Sequence, residues 1–490
     1  MAETKNREVS GGSAPSSPLE DLGLGIPEIL LPRQGIDLLK WAVVACDQFT
    51  QDGDYWEKAG RIAGDAPSTL KLIFPEFYLE ADPLSREERI GAIHRSMADY
   101  LAQGIFAPPR RGWVYLERST PFHKIRRGLV AAVDLERYQW AAGAKSLIRA
   151  TEGTLKERLP PRMDIRRGAP LESPHILLLL DDEGDTLFPA LTGMARRMEP
   201  AYRSPLMLDS GEVSGWFLDG EAQWNLVGDK LAELRRRAET RYGGDEGDPF
   251  LYAVGDGNHS LAAAKGIWEE YKAAHAGEAD LMEHPARWAL VEMENLYDPG
   301  LSFEPIHRVV FNAHADRLLD LLSWLPGAAS YPVEGLGKLR ELVKGPGPGQ
   351  RLGFVSGDRC LVFETQIPGL ATVSLQPLLD NFIAGAEGFG VSPPPSIEGP
   401  GVSPPSIDYI HGEEELIRLA AGGHGSRPAA GILLPPIRKE GLFETIARSG
   451  PLPRKSFSMG KAREKRFYLE CRRLFNRRLF NQEPLENLTV

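Results

Sequence analysis

Asp256, Asn258 and His259 crowd into one short stretch of the chain, FLYAVGDGNHSLAAAK, running from Phe250 to Lys265. An apolar run reads as a strand ending at Val254, Gly255 and Gly257 permit a tight turn, and an alanine-rich helix follows. Free amides at a helix start face whatever lies above the strand end, which is how proteins hold phosphate. In that setting Gly255, Gly257, Asn258 and Ser260 form a phosphate seat, Asp256 is a magnesium ligand or base, and His259 is a donor or acid. The plainer alternative is that Asp256 only shapes the turn, Asn258 caps the helix and His259 is satisfied locally.

A second group lies in SLIRATEGTLKERLPPRMDIRRG, Ser146 to Gly168. Arg149, Thr151, Glu152 and Thr154 are followed by Lys156, Arg158, Arg162, Arg166 and Arg167, and guanidinium groups grip phosphate or carboxylate in a fork. A solvated charged helix explains the same residues equally well. His307 and Arg308 open a further strand in EPIHRVVF, and Asp181 and Asp182 after HILLLL read as a solvated turn. Near the C-terminus, Phe467, Cys471, Leu474, Phe475 and Leu479 make one apolar helical stripe, with ten Lys and Arg residues between Arg454 and Arg478 covering the other faces. This predicts a basic amphipathic helix packed on its own domain, with anionic surfaces or RNA as the less favoured partners.

The elements that must hold these residues are mixed. WAVVAC, GWVYLER and GLVAAVDL read as strands, REERIGAIHRSMADYLAQG and DKLAELRRRAETRYG as helices, and LVKGPGPGQRLGFVSG as a connector before a strand pair. The predicted fold class is therefore α+β, with a tail at 1–21, an N-terminal α/β domain at 22–200, a central region at 201–325 and a C-terminal α/β region at 326–490. GVSPPPSIEGP at Gly390 is nearly repeated from Gly401 to Ser406 and onward, and without further periods it reads as an exposed loop expansion.

Composition sets outer limits. At 490 residues the chain exceeds one ordinary core, and 42% hydrophobic with 26% charged residues is typical of soluble globular proteins. The net charge of -11 argues against non-specific nucleic-acid binding and favours a small-molecule partner. Cys46, Cys360 and Cys471 lie far apart without a CxxC pair, which fits a reducing cytoplasm and argues against a disulfide framework or thiolate zinc site. The first residues lack the apolar segment of a signal peptide, so the expected location is cytoplasmic, away from membranes. There is no P-loop, GxGxxG turn, HExxH or GxSxG, which removes the commonest nucleotide and hydrolase routes.

GDGNHSLAAAK, LYDPGLSFEPIHRVV, IDYIHG and LPRKSFSMG, preceded by DQFTQDGDYWE, STLKLIFPEFYL and IRATEGT, resemble in order and spacing the bacterial and archaeal family called domain of unknown function 1015. That family's central motif is usually written DGHHR and is similar to the turn of the ParB and sulfiredoxin superfamily, whose members bind nucleotide phosphates and include a kinase acting on free serine. The resemblance matches Gly255, Asp256, Gly257 and His259, while Asn258 stands where the family commonly has His and Ser260 where it has Arg. It implies a ParB/sulfiredoxin-like central region and makes Glu152 a candidate base, with Arg149 or Arg308 supplying the charge of the missing Arg.

Two functions are expected from this. One is phosphotransfer or phosphate-ester chemistry on a small metabolite such as serine or phosphoserine, with Asp256, His259 and Glu152 catalytic, phosphate held by Gly255, Gly257, Asn258, Ser260, Arg149, Thr154, His307 and Arg308, and Mg2+ and a nucleotide as cofactors. The other is a non-catalytic nucleotide or metabolite sensor.

Overall fold

The computed structural model describes residues 18–50, 52–81, 85–141, 143–243, 249–347, 349–367, 369–384, 404–421 and 429–475. The fold is mixed α+β, as expected. Strands between Leu24 and Asn295 build a ten-stranded sheet, and strands between Phe303 and Met459 build a seven-stranded one. Strands from either side of residue 200 therefore share a single sheet.

HILLLL supplies the centre of the larger sheet. Leu177–Leu180 lies between the parallel strand Trp288–Asn295 and the antiparallel strand Tyr252–Asp256, and all four leucines are fully buried. A strand covered on both faces reads as a continuous apolar run, without alternation. Leu178 and Leu180 enter the large core with Trp41, Trp113 and Trp268. Leu177 and Leu179 enter a smaller core with Phe250, Leu442, Phe443 and Met459, which fastens the second sheet to the back of the first. Strand Phe303–Phe311 pairs first with Phe457–Met459 and then with Ser406–His411 and Ala429–Leu433.

Of WAVVAC only Val43–Val44 is strand, Trp41 ending the helix Leu38–Trp41, while other local signals hold. The helix Arg86–Ala102 opens with a Ser85/Glu88 capping box, and the connector leads into the pair Arg351–Ser356 and Arg359–Glu364. Among the described residues no helix is long and apolar enough to cross a membrane.

Three expectations are corrected. The residues of the expected basic helix that are described, Arg454 to Phe475, form no α-helix: they hold the strands Phe457–Met459, Phe467–Tyr468 and Arg472–Arg473. The last two pair with Val43–Val44 and Leu171–Glu172, so the segment is a strap across the larger sheet. Phe467, Cys471, Leu474 and Phe475 are buried as predicted, but Arg466 and Arg472 are buried too, against Glu292, Glu470 and Glu172. The helical period arose by coincidence from an extended chain buried on both sides; Leu479 lies outside the described residues. Asp182 is fully buried and accepts from the amide of Leu187 at 3.0 Å, and Asp181 accepts from Tyr242 and Tyr297, so neither is a solvated turn residue. Pro18–Asp21, within the expected tail, is a short helix whose Leu19 packs on the large core, and residues 1–17 lie outside the described residues. Most of the near-duplicate, 390–403, lies outside the described residues.

Candidate functional site

The turn has the predicted form. Strand Tyr252–Asp256 ends, Gly257 adopts φ 79° in the left-handed region, and the helix Asn258–Ala274 begins. The helix's own hydrogen-bond ladder starts at Leu261, whose amide bonds Gly257 O, so the amides before it point out of the helix end. Both glycines answer to packing. A Cβ on Gly257 would meet Ile176 at 3.1 Å, and one on Gly255 would lie 2.2 Å from Met459 Sδ.

The polar residues divide the work among themselves. Asp256 Oδ1 accepts from the Gly257 amide at 3.1 Å, and Oδ2 accepts from Lys465 Nζ at 3.0 Å, with the lysine almost wholly buried. Asn258 holds the neighbouring loop: its Oδ1 accepts from the Thr151 amide at 3.2 Å, and its Nδ2 donates to Thr151 Oγ1 at 3.3 Å. His259 Nε2 accepts from the Leu155 amide at 3.4 Å, which leaves the ring proton on Nδ1. Ser260 Oγ lies 2.8 Å from His175 Nε2. The Asn258 and Ser260 side chains are thus committed to neighbours, and their contribution to an anion comes from the backbone.

Loop 151–155 is clamped from the other side by the start of the strap. Leu452 N–H donates to Thr151 O at 2.7 Å, Gly153 N–H donates to Leu452 O at 3.1 Å, and Ser456 N–H donates to Glu152 Oε1 at 3.2 Å. Burial pushes the Glu152 carboxyl above the ordinary glutamate value; the Lys455 and Ser456 amides and the Lys455 charge oppose this, and the Asp256 charge adds to it. Glu152 and Asp256 therefore sense each other, with Lys455 acting on the first and Lys465 paired with the second. His411, exposed at the end of Ser406–His411, is within electrostatic reach of both lysines.

The remaining predicted residues lie elsewhere or play other parts. Arg149 donates to Ser146 O at 3.0 Å and lies over Phe250, towards the strand's beginning and away from the turn. His307 is buried with Nδ1 accepting from the Leu434 amide, and burial above all lowers its pKa to about 4, so it is a neutral core histidine. Arg308 is fully buried, donates to Gln376 at 2.8 Å and stacks over Tyr409, yet Glu152 is among the charges acting on it. Its Nη2 has no hydrogen-bond partner among the described residues, nor has the buried Oγ1 of Thr154. Of the eleven predicted residues, the structure brings together the turn, Glu152 and Thr154, puts Arg308 within electrostatic reach of Glu152, and leaves Arg149 and His307 apart.

Sequence reasoning missed Lys465, Lys455 and His175 as site residues, although each sits in or beside a stretch singled out for other reasons. It also missed Asp47. Its carboxylate is held below the ordinary value despite opposing burial, by His175, a hydrogen bond from Gln48, Lys465 and Arg162.

Residues 30–351 match the family model described as "Protein of unknown function (DUF1015)". The chain belongs to this family. Comparison with curated proteins gave no match. Among solved structures, this DUF1015 protein is similar to a conserved hypothetical protein from Pyrococcus furiosus at 11% identity, covering 68% of this chain and 90% of that one, with a TM-score of 0.31. It is similar to a free serine kinase in complex with AMP at 10% identity, over 69% and 90% of the two chains, with a TM-score of 0.34. It is also similar to SbnI with a C-terminal truncation from Staphylococcus aureus, at 9% identity over 68% and 82%, with a TM-score of 0.32.

Proposed function

We propose that the protein is an enzyme of phosphotransfer or phosphate-ester chemistry on a small metabolite, a nucleotide or a phosphorylated amino acid such as phosphoserine. One observation carries the reading: the Asp256–Lys465 pair lies where the helix Asn258–Ala274 opens, and the Asp256 charge acts on the Glu152 carboxyl. The phosphate sits over the turn, held by amide dipoles and by Lys465 and Lys455, with His259 Nδ1–H as a further donor. Glu152, being harder to ionise than a solvent-exposed glutamate, is the stronger base once ionised, and takes a proton from an attacking hydroxyl or water. Such catalysis is mostly positioning and charge stabilisation, which a site of fixed amides and ammonium groups provides. This is also the use expected of the ParB and sulfiredoxin turn that the sequence motif resembles.

Magnesium does not fit Asp256 as it stands. Both oxygens of that carboxylate have partners in the chain, and Lys465 occupies the place where a cation's charge would act. No step is routed through a metal.

The test is thermal-shift screening of the full chain against nucleotides, serine, phosphoserine and pyrophosphate, with and without magnesium, repeated on Lys465→Ala and His259→Ala. A ligand present at a hundred times its Kd adds about 2.7 kcal/mol. Stabilisation by a phosphorylated ligand that both variants lose, followed by turnover of it, supports the reading. Binding without turnover makes the protein a sensor, and no shift with any phosphate compound overturns the phosphate seat.

A further inference from the structure

We propose that Ser260 and His175 form a nucleophile and base pair that cleaves small uncharged carboxylic esters, an activity separate from the phosphate chemistry of the turn. The pair faces a cavity of about 140 Å³ whose polar end is Ser260, His175 and Tyr468 and whose walls include Leu72, Phe74, Met97 and Leu290. Leu79, 40% exposed, lies at its mouth. At about 30 Å³ for each water-sized group, the space takes an acyl chain of roughly four or five heavy atoms.

The hydrogen bonds set the tautomer that catalysis needs. Ser260 Oγ is 2.8 Å from His175 Nε2, and His175 Nδ1 is 2.9 Å from the Tyr468 hydroxyl. That hydroxyl accepts from the Cys46 amide at 3.2 Å and bonds the Cys46 thiol. With its proton on the sulfur side, the Tyr468 oxygen accepts Nδ1–H, and Nε2 is left to accept from Ser260. Tyr468 is thus a positioning residue, while Asp47 supplies a negative charge near the imidazole. Burial raises the Cys46 thiol to about 12, so it stays protonated and does not compete as nucleophile.

The walls select the substrate. Arg162 and Arg166 reach the cavity, but Arg162 is held by Glu76, and Arg166 is held by Glu172, which it shares with Arg472. An apolar pocket of this kind disfavours a phosphate dianion and accepts a neutral acyl group.

The steps balance as follows. Ser260 Oγ attacks the carbonyl carbon and its proton passes to His175 Nε2. The carbon–oxygen bond to the alcohol breaks, and the leaving oxygen takes that proton. A water, deprotonated by His175, then attacks the acyl-serine, releasing the carboxylic acid and returning the proton to Ser260. Ser260 is the third residue of a seventeen-residue helix, so the oxyanion develops at its positive end.

The experiment uses the full chain with a fluorophosphonate probe, peptide mapping, and p-nitrophenyl acetate, butyrate and octanoate. An adduct on Ser260, turnover of butyrate above octanoate, and a fall of about 100-fold or more in His175→Ala and Ser260→Ala are expected. Ser260→Cys, if Ser260→Ala proves unstable, exchanges probe labelling for rapid iodoacetamide labelling at neutral pH. Tyr468→Phe keeps the adduct but shifts the pH dependence of its formation. No adduct at Ser260, or ester turnover untouched by loss of Ser260 or His175, overturns the proposal whether or not the turn binds phosphate.

Discussion

Glu152 shows how a single side chain is tuned by what lies far from it in sequence. Its carboxyl is raised first by burial and then by the charge of Asp256, while the Lys455 charge and two amides restrain it. If it is the base, the acidic limb of the pH–rate profile lies above the range of a free glutamate, since only the ionised form takes a proton. Glu152→Gln should remove that limb along with most of the rate, a loss on the order of 100-fold or more. A limb unchanged in the variant would assign the base elsewhere. The Asp256–Lys465 pair gives a second test at this scale. The lysine is almost wholly buried, so Lys465→Ala leaves a carboxylate without its counter-charge and should cost about 3 kcal/mol in urea unfolding. Asp256→Asn combined with Lys465→Met should recover a good part of that, because no uncompensated charge remains. Additive losses would mean that the two groups are not coupled.

The strand, turn and helix that carry Asp256 were legible because their causes are local. A run of apolar residues, two glycines and an alanine-rich stretch specify that geometry within sixteen residues. Gly257→Ala places a Cβ in the left-handed region and against Ile176, and should lower stability by about 1–2 kcal/mol. Gly255→Ala should act differently: it pushes on Met459 and so on the strand Phe457–Met459, and the expected outcome is loss of phosphate-ligand stabilisation beyond the loss of stability, read by thermal shift. The strap was not legible for the opposite reason. Its arginines looked solvated because the carboxylates that neutralise Arg466 and Arg472 include Glu292 and Glu172, 174 and 300 residues upstream. Lys465 and Lys455 stayed hidden with it, and so did the Asn258 side chain's true part, which is to hold Thr151. His175 is another such case. One histidine ahead of a leucine run gives no hint that Ser260 and Tyr468 bracket its ring.

Across the whole molecule the strap is what joins the site to the sheet, and it does so through buried charge. Arg466 bonds Glu292 at 2.8 Å and also Glu470, and Arg118 and Arg126 donate to the carbonyl of Glu464. Beside them Glu294, fully buried, is pushed up to about 8, chiefly by burial, with Arg126 opposing and the Glu292 charge adding to it. Burial and the neighbouring Glu292 charge therefore favour the protonated form of Glu294. A carboxyl whose folded value exceeds its unfolded one keeps a proton that the unfolded chain has released. Its stabilising contribution is fully present below about 4.5 and shrinks as pH rises, until none is left above about 8. Glu294→Gln, neutral at every pH, lacks this dependence. In urea titrations at pH 5.5, 7 and 9 the wild type should therefore lose stability relative to the variant step by step, and the strap should become more open to limited proteolysis over the same range. Parallel curves for the two proteins would mean that Glu294 is ionised throughout, and that Arg126 alone, 2.9 Å away, compensates its charge.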